Sequence, residues 1–172
     1  MGEPPRLWQI TLPRDRAIIY FVTLCVVDRQ KVLANQKVFA AVRMVMPELQ
    51  KWRVMAVVVM PDHMHCIISP GEDRSLSVGD FASGFKRLLR QALGKQEWEW
   101  QRGCFDRLLR SDENLHNKWT YVWQNPVRAG LVKNAEDWPF FIDLIDKEGS
   151  YLFPLQEKSD GKLSASPIEE RD

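Results

Sequence analysis

The sequence predicts an α+β fold built on a ferredoxin-like antiparallel sheet, with helices packed on one face of that sheet. Short segments rich in β-branched and aromatic residues alternate with longer amphipathic segments. Their order is strand, helix, strand, strand, helix, strand, and a further helix follows. In this split βαβ order two helices cover one face of the sheet, so we expect the other face to be available to a ligand.

The first predicted strand spans residues 17–27, where β-branched and aromatic side chains dominate. Residues 35–52 have a helical composition with apolar side chains at helical spacing, and Pro47 predicts a kink or break in that helix. Residues 54–59 predict the second strand. The first helix therefore connects two strands.

A turn at Pro61-Asp62 separates the second strand from a third, which spans residues 63–69. We expect these two strands to pair as a hairpin. Residues 77–93 predict the second helix, because apolar side chains recur along one face and basic ones along another. Gly94 is suited to end it.

The aromatic and basic segment 98–109 predicts a short fourth strand, with the weakest pattern of the four. Ser111 is an N-cap followed by acidic residues, so a third helix is expected to begin there and to run to about Asn125. Pro126 must kink or end this helix, and Gly130 is a natural stop.

The composition is that of one globular domain. Of the 172 residues, 45% are hydrophobic and 27% are charged, and we expect a single domain over residues 1–154 with a disordered tail over residues 155–172. No apolar run reaches membrane-spanning length, and the N-terminus lacks the layout of a secretion signal, so a cytoplasmic protein is expected. The three cysteines form no Cys-x-x-Cys pair, which argues against a disulfide framework or a structural zinc site.

Positive charge is concentrated in the body of the domain. The net charge is only +1, but residues 1–60 carry nine basic side chains against four acidic ones, and residues 80–133 carry ten against six. This asymmetry is compatible with a surface that binds phosphates, although a solvated surface of mixed charge is the alternative.

Two histidines stand two residues apart in the third predicted strand. Successive side chains of a strand alternate between faces, so the imidazoles of His63 and His65 point the same way and Met64 points opposite. Two imidazoles so placed can chelate one divalent metal ion. An arbitrary His-x-His is more often a pair of surface histidines, but here the pair lies between a turn and an apolar strand.

Tyr121 and Asn125 share one face of the third helix because they are four residues apart. A tyrosine hydroxyl beside a carboxamide oxygen can place a nucleophile next to a metal ligand. The alternative is a tyrosine that packs in the core and an asparagine that ends the helix before proline. Phosphoryl transfer would link this pair to the histidines, because a phenol with a pKa of about 10 is a weak nucleophile and a metal ion can polarise the phosphate that it attacks. Two imidazoles and an amide oxygen would suit Mg or Mn.

Several segments resemble those of one family of DNA-processing enzymes. VVVMPDHMHCIIS is similar to the His-hydrophobic-His segment of the single-tyrosine HUH transposases, and WTYVWQNPVRAGLV looks like their catalytic-tyrosine helix. The NPVRAGLV run is especially similar to the REP-associated tyrosine transposases, an insertion-sequence transposase-like group. FASGFKRLLRQAL and QRGCFDRLLRSDENL also fit that group in order and spacing, so the resemblance spans residues 17–138.

This resemblance implies an RRM-like core, a divalent metal and a single-stranded or hairpin DNA partner. It identifies Tyr121 as the nucleophile that becomes linked to a 5′ phosphate, and His63, His65 and Asn125 as the metal ligands. It implies a single-strand endonuclease and strand transferase that acts at REP-like palindromes in DNA transposition and recombination. One departure is Arg107, where many members have a histidine, and this leaves its role open.

Other side chains are candidates for supporting roles. Asp62 could orient a ligand histidine by accepting its ring N–H, or could simply form the turn. The basic side chains that could contact DNA phosphates are Lys86, Arg87, Arg90, Arg102 and Arg110. A solvated helix face is the alternative for each of them. Stacking on unpaired bases is a candidate role for Trp98, Trp100, Trp119 and Trp123, although core packing is expected for at least two of these.

Two other functions are compatible with the sequence. One is a catalytically silent hairpin-binding protein domesticated from a transposase, whose DNA binding would not depend on His63 or Tyr121. The other is a metal-stabilised structural protein. The intact set of histidines, tyrosine and asparagine favours the enzyme. The sequence leaves open the target hairpin, the metal used in the cell, and whether the domain acts as a monomer or as a homodimer in which Tyr121 serves the partner's site.

Overall fold

The computed structural model describes residues 18–109 and 112–144, and within them it confirms the predicted α+β fold. The strands are β1 (Ile19–Cys25), β2 (Trp52–Val59), β3 (His63–Pro70), β4 (Phe105–Leu109) and β5 (Phe141–Asp143). The helices are α1 (Gln36–Val45), α2 (Val78–Leu93) and α3 (Asp112–Arg128). The strands form one antiparallel sheet with the order β4-β1-β3-β2-β5, whose first four members have the ferredoxin-like arrangement.

One face of the sheet is covered by α1 and α2, as predicted. The apolar side chains of α2 recur at helical spacing and pack against alternate residues of β1, β2 and β3. Fully or almost fully buried members of this core are Val22, Leu24, Val42, Val57, Met64, Phe81, Phe85 and Leu89. The Ser77 side chain accepts a hydrogen bond from the Asp80 backbone, and the Asp80 carboxylate accepts one from the Ser77 backbone, so a capping box fixes where α2 begins.

The opposite face is not left open, which corrects the expectation from the strand order. Helix α3 packs against it, and Val122 is fully buried there against Ile67 and Val58. Burial of apolar surface on both faces explains why β2 and β3 have almost no exposed positions. The part of this face near the start of β3 is where the two histidines lie.

The structure defines several element boundaries more closely than the sequence does. The break predicted at Pro47 is confirmed, because the first helix ends at Val45 and passes into a 3-10 turn at Met46–Glu48, where proline lacks a helical hydrogen-bond donor. The segment predicted as a fourth strand pairs only over Phe105–Leu109. Strand β5, which pairs with β2 at the edge, was not predicted.

Helix α3 continues past Pro126 to Arg128, beyond the predicted end at Asn125. It stops as expected at Gly130, whose φ of +70° suits glycine. The backbone N–H of Gly130 donates to Val127 and that of Leu131 donates to Pro126, each at 2.9 Å, so the last carbonyls are satisfied. The predicted cap at Ser111 and the predicted tail over residues 155–172 lie outside the described residues.

Cys25, Cys66 and Cys104 are free thiols. In the part of the chain that the structure describes, no helix is both long enough and apolar enough to cross a membrane.

Candidate active site

The side chains of His63 and His65 share the face of the sheet that α3 covers, while Met64 lies in the core on the other side. Strand β3 begins at His63, so the pair stands at the edge of a regular ladder rather than in a loop. The two Nε2 atoms are 3.1 Å apart, and His65 is only 6% exposed. Both rings therefore meet at one point of a partly enclosed surface.

A hydrogen-bond partner holds the other nitrogen of each ring. His63 Nδ1 lies 2.6 Å from Asp62 Oδ1, and His65 Nδ1 lies 2.8 Å from Thr23 Oγ1, which is opposite it in the β1–β3 ladder. With the proton on Nδ1 of each ring, both Nε2 atoms present lone pairs to the same point. Asp62 thus makes the contact suggested by the sequence, whereas Thr23 became visible only through the pairing of β1 with β3.

Burial keeps both imidazoles neutral at neutral pH. Burial, followed by the charges of His63 and Lys118, lowers the pKa of His65 to about 3. Burial also lowers the pKa of His63, although the Asp62 carboxylate acts in the opposite direction. Burial would raise the pKa of Asp62, but its hydrogen bond and charge interaction with His63 and the charge of Arg29, 2.7 Å away, together lower it. Neutral imidazole is the form that binds metals.

Tyr121 of α3 lies beside this pair. Its ring centroid is 5.9 Å from that of His65, and both rings contact Phe21 of β1, at 6.0 Å for Tyr121 and 4.9 Å for His65. The three aromatic rings form a contiguous cluster in which Phe21 is the shared neighbour. The fold thus brings the predicted nucleophile next to the predicted ligands from segments that are distant in the sequence.

Asn125 lies one helical turn after Tyr121 and is 9% exposed. The oxygen of its carboxamide is a type of atom that can coordinate Mg or Mn. No cluster of three or more His, Cys, Asp or Glu side chains in residues 18–109 and 112–144 could hold a metal ion. A metal at the histidine pair would therefore need a third protein ligand of another type, and Asn125 is of that type.

The histidine pair fits a divalent ion. Two cis ligands at about 2.1 Å from one metal are about 3 Å apart, which matches the separation of the two Nε2 atoms. Hydrogen bonds to Asp62 and Thr23 orient the rings in the way that outer partners of metal-bound histidines do.

Positive side chains that were not predicted as site residues surround Tyr121. Lys118 Nζ lies 4.8 Å from the ring centroid of Phe21 and 4.9 Å from that of Tyr121, and Arg128 Cζ lies 5.0 Å from the Tyr121 centroid. Their spacing of three residues before and seven after Tyr121 is the signal that could have identified them. Arg107 of β4 is paired opposite Phe21 of β1. Burial lowers the pKa of Lys118, and the positive charge of Arg107 lowers it further.

The predicted DNA-binding residues form a separate groove on the side of α2. The groove has a volume of about 250 Å³ and is lined by Arg87, Arg90 and Arg102 together with Trp100 and Lys86. It therefore lies on the opposite side of the sheet from Tyr121. Arg110 is outside the described residues.

Lys86 has a structural contact that the sequence did not indicate. It is 8% exposed, and its ammonium donates to the backbone carbonyls of Gln101, at 2.7 Å, and Gly103. The lysine thereby ties the segment before β4 to α2. Its charge lies at the floor of the groove rather than on the exposed helix face expected from the sequence.

Two of the four tryptophans considered for base stacking lie in the same region of α3. Trp119 and Trp123 are stacked with ring centroids 5.4 Å apart, and both are half-buried. Trp100 is a core residue at 8% exposed, and Trp98 packs edge-on against it. The prediction that at least two would serve packing therefore holds for Trp98 and Trp100.

The chain is similar to proteins named REP-associated tyrosine transposases. A Haemophilus influenzae protein, provisionally so named, is 26% identical over 136 residues, which cover 71% of this chain and 77% of that protein. The REP-associated tyrosine transposase of Escherichia coli K12 is 33% identical over 94 residues, which cover 52% of this chain and about half, 53%, of the relative. No family model matches the chain.

A solved structure shares the fold. It is the structure of a REP-associated tyrosine transposase bound to a REP hairpin, with a TM-score of 0.67 and 24% identity over 96% of this chain and 100% of that one. The curated relatives and this fold together confirm the resemblance inferred from the motifs.

Proposed function

We propose that this homologue of the REP-associated tyrosine transposases cleaves and rejoins single-stranded DNA at hairpins, with Tyr121 as the nucleophile and a divalent metal at His63 and His65. The observation that carries the proposal is the 5.9 Å approach of the Tyr121 and His65 rings across the sheet face. A core tyrosine would not require two imidazoles beside it with their Nε2 atoms only 3.1 Å apart.

In this proposal the metal is held by His63, His65 and Asn125. A bound Mg or Mn ion would polarise the phosphate and neutralise charge in the transition state. The low pKa of His65 keeps its ring free to bind metal at any physiological pH. Asp62 and Thr23 keep the two rings oriented, so the geometry is prepared before DNA arrives.

The chemical step belongs to Tyr121. Its phenolic oxygen forms a bond to phosphorus while the bond from phosphorus to the 3′ oxygen of the preceding nucleotide breaks. Tyr121 loses its proton and the departing 3′ oxygen gains one, which leaves a 5′-phosphotyrosine and a free 3′ hydroxyl. Attack by a 3′ hydroxyl on the phosphotyrosine rejoins DNA by the reverse exchange and needs no ATP.

Hairpin DNA is the proposed partner for two reasons. The relative that shares the fold was solved with a REP hairpin bound. The groove of Arg87, Arg90 and Arg102 offers three exposed guanidinium groups, which suit duplex phosphates.

The test is covalent trapping on labelled single-stranded oligonucleotides that contain palindromes from the DNA flanking the gene, with Mn or Mg. Wild type should give a protein–DNA adduct that survives denaturation, and Tyr121→Phe should give none. Tyr20→Phe is the matched control, because Tyr20 of β1 is half-buried like Tyr121 but packs on the α1–α2 side. An equal adduct from Tyr121→Phe would show that the nucleophile is misassigned.

A second outcome would favour the silent hairpin-binding protein. In that case hairpin binding is tight, no metal gives cleavage, and His63→Ala and Tyr121→Phe bind as well as wild type. The separation of the groove from Tyr121 makes this measurement meaningful, because binding through the groove need not involve the tyrosine.

A further inference from the structure

In the part of the chain that the structure describes, three positive side chains lie around the Tyr121 ring. Lys118, Arg107 and Arg128 all lie on its face of the sheet or on α3 itself. Among the described residues none of the three forms an ion pair with a carboxylate. Like charges gathered in this way repel one another, so the arrangement is most favourable when an anion is present.

Lys118 has the most constrained position of the three. Its ammonium lies almost equally far from the centroids of Phe21 and Tyr121, at 4.8 and 4.9 Å. Contact with two aromatic faces holds the side chain while leaving N–H groups free to donate elsewhere. Burial lowers its pKa, which shows that part of its hydration shell has been replaced by protein.

Lys118 also lies close to the histidine pair, because the Tyr121 ring that it contacts at 4.9 Å is itself 5.9 Å from the ring of His65. Tyr121, His65 and Lys118 therefore border a single small region of the α3 face. A phosphate within reach of the phenolic oxygen and the two Nε2 atoms is also within the electrostatic reach of this ammonium.

We propose that Lys118 binds a non-bridging oxygen of the phosphate that Tyr121 attacks, and so positions that phosphate against the phenolic oxygen. This rests on the proposed function, because it names a partner for the same phosphate. Arg107, opposite Phe21 in the β1–β4 ladder, adds charge at the edge of the site and disfavours an unoccupied state.

The experiment measures binding rather than cleavage, so that chemistry does not enter the result. All proteins carry Tyr121→Phe, which keeps the aromatic ring under Lys118. The probe is a fluorescein-labelled hairpin oligonucleotide with single-stranded flanks, made as a series in which one phosphate at a time is replaced by a neutral methylphosphonate. The affinity of each protein for each probe is measured by fluorescence anisotropy in the presence of Mg.

For the all-phosphodiester probe, Lys118→Gln should bind about tenfold more weakly, as expected for the loss of a charge-assisted hydrogen bond. At one methylphosphonate position, the difference in affinity between Lys118→Gln and the protein that keeps Lys118 should shrink to less than about twofold. The reason is that the phosphate charge that Lys118 binds is already absent from that probe. Lys118→Arg should retain most of the affinity. Lys37→Gln, an exposed lysine on α1 across the sheet, is the matched control and should lose the same small amount with every probe.

The position identified in this way must be the phosphate that wild type joins to Tyr121 in the trapping experiment. If Lys118→Gln weakens all probes equally, or weakens binding through a different phosphate, the assignment of Lys118 is wrong even though the enzyme is active. If wild type forms no adduct at all, the proposed function itself fails. Thermal unfolding of each variant would show whether it is folded. If Lys118→Gln does not fold, Lys118→Met replaces it, and its loss of affinity should likewise disappear at one methylphosphonate position only.

Discussion

The Nε2 atoms of His63 and His65 lie 3.1 Å apart, while the Nδ1 atom of each ring is held by a neighbour. Two neutral imidazoles gain little from facing each other in this way, because their lone pairs repel unless a proton or a cation lies between them. A cation held at both Nε2 atoms would remove this repulsion, and the effect of Asp62 on metal binding can be measured.

Replacing Asp62 by Asn should weaken binding of Mn by about 10–100-fold, because the His63 ring loses the carboxylate that fixes its tautomer. Titration of Mn followed by electron paramagnetic resonance would measure the affinity. Asp73→Asn, in the exposed loop between β3 and α2, removes the same charge away from the site and should bind Mn as wild type does. Equal affinities of the Asp62 and Asp73 variants would contradict the role of Asp62.

The metal-free protein should lose stability as the pH falls from 6.5 towards 3. His65 has a pKa of about 3 in the folded state and an ordinary value of 6.5, so in this window the unfolded state binds more protons than the folded state. Its contribution is fully present above pH 6.5 and is lost progressively below it, by up to about 1.4 kcal/mol of unfolding free energy for each pH unit.

Urea unfolding at several pH values with a chelator present would measure this slope. His65→Gln should have a shallower slope than wild type by about one proton. Parallel slopes for wild type and His65→Gln would mean that His65 titrates normally.

Lys86→Met should lower the free energy of unfolding by about 1–3 kcal/mol, because the carbonyls of Gln101 and Gly103 lose their donor. Arg87→Met, at the next and exposed position of α2, should change it by less than about 0.5 kcal/mol. Chemical denaturation compares the two directly. A small effect of Lys86→Met would show that water can replace the ammonium at these carbonyls.

The combined variant Arg87→Gln, Arg90→Gln and Arg102→Gln should bind hairpin DNA more weakly and with a smaller salt dependence. Each lost phosphate contact reduces the slope of log affinity against log salt by about 0.9. Anisotropy at several salt concentrations would measure it. The matched control replaces three exposed basic residues outside the groove, Lys37 and Arg43 of α1 and Lys51 of the turn before β2, and an equal loss there would indicate charge attraction without a defined site.

Strands β2 and β3 could be predicted because their side chains are buried on both faces, which leaves a continuous apolar pattern in the sequence. Strand β5 could not be predicted from the sequence, because its three residues carry no local pattern and its pairing depends on the edge of β2. The extension of α3 past Pro126 was missed because the capping hydrogen bonds around Gly130 stabilise a last turn that proline alone would weaken.

Part of the candidate site could likewise be predicted from the sequence, and part could not. His63 and His65, and Tyr121 and Asn125, are related by spacing within one element, so periodicity was enough to group each pair. Lys118 could have been grouped with Tyr121 by its helical spacing, but Thr23 and Phe21 enter the site only through the pairing of β1 with its neighbours. No local pattern in the sequence contains that information.

The sheet divides the molecule into two surfaces, with the arginine groove on one and Tyr121 on the other. A nucleic acid cannot pass through a continuous hydrogen-bonded sheet, so one molecule that occupied both surfaces would have to bend around an edge of it. For a DNA that used both surfaces, length would therefore act as a threshold rather than as a graded variable. Oligonucleotides shorter than the path around the edge would engage one surface at a time, and only longer ones would couple the two.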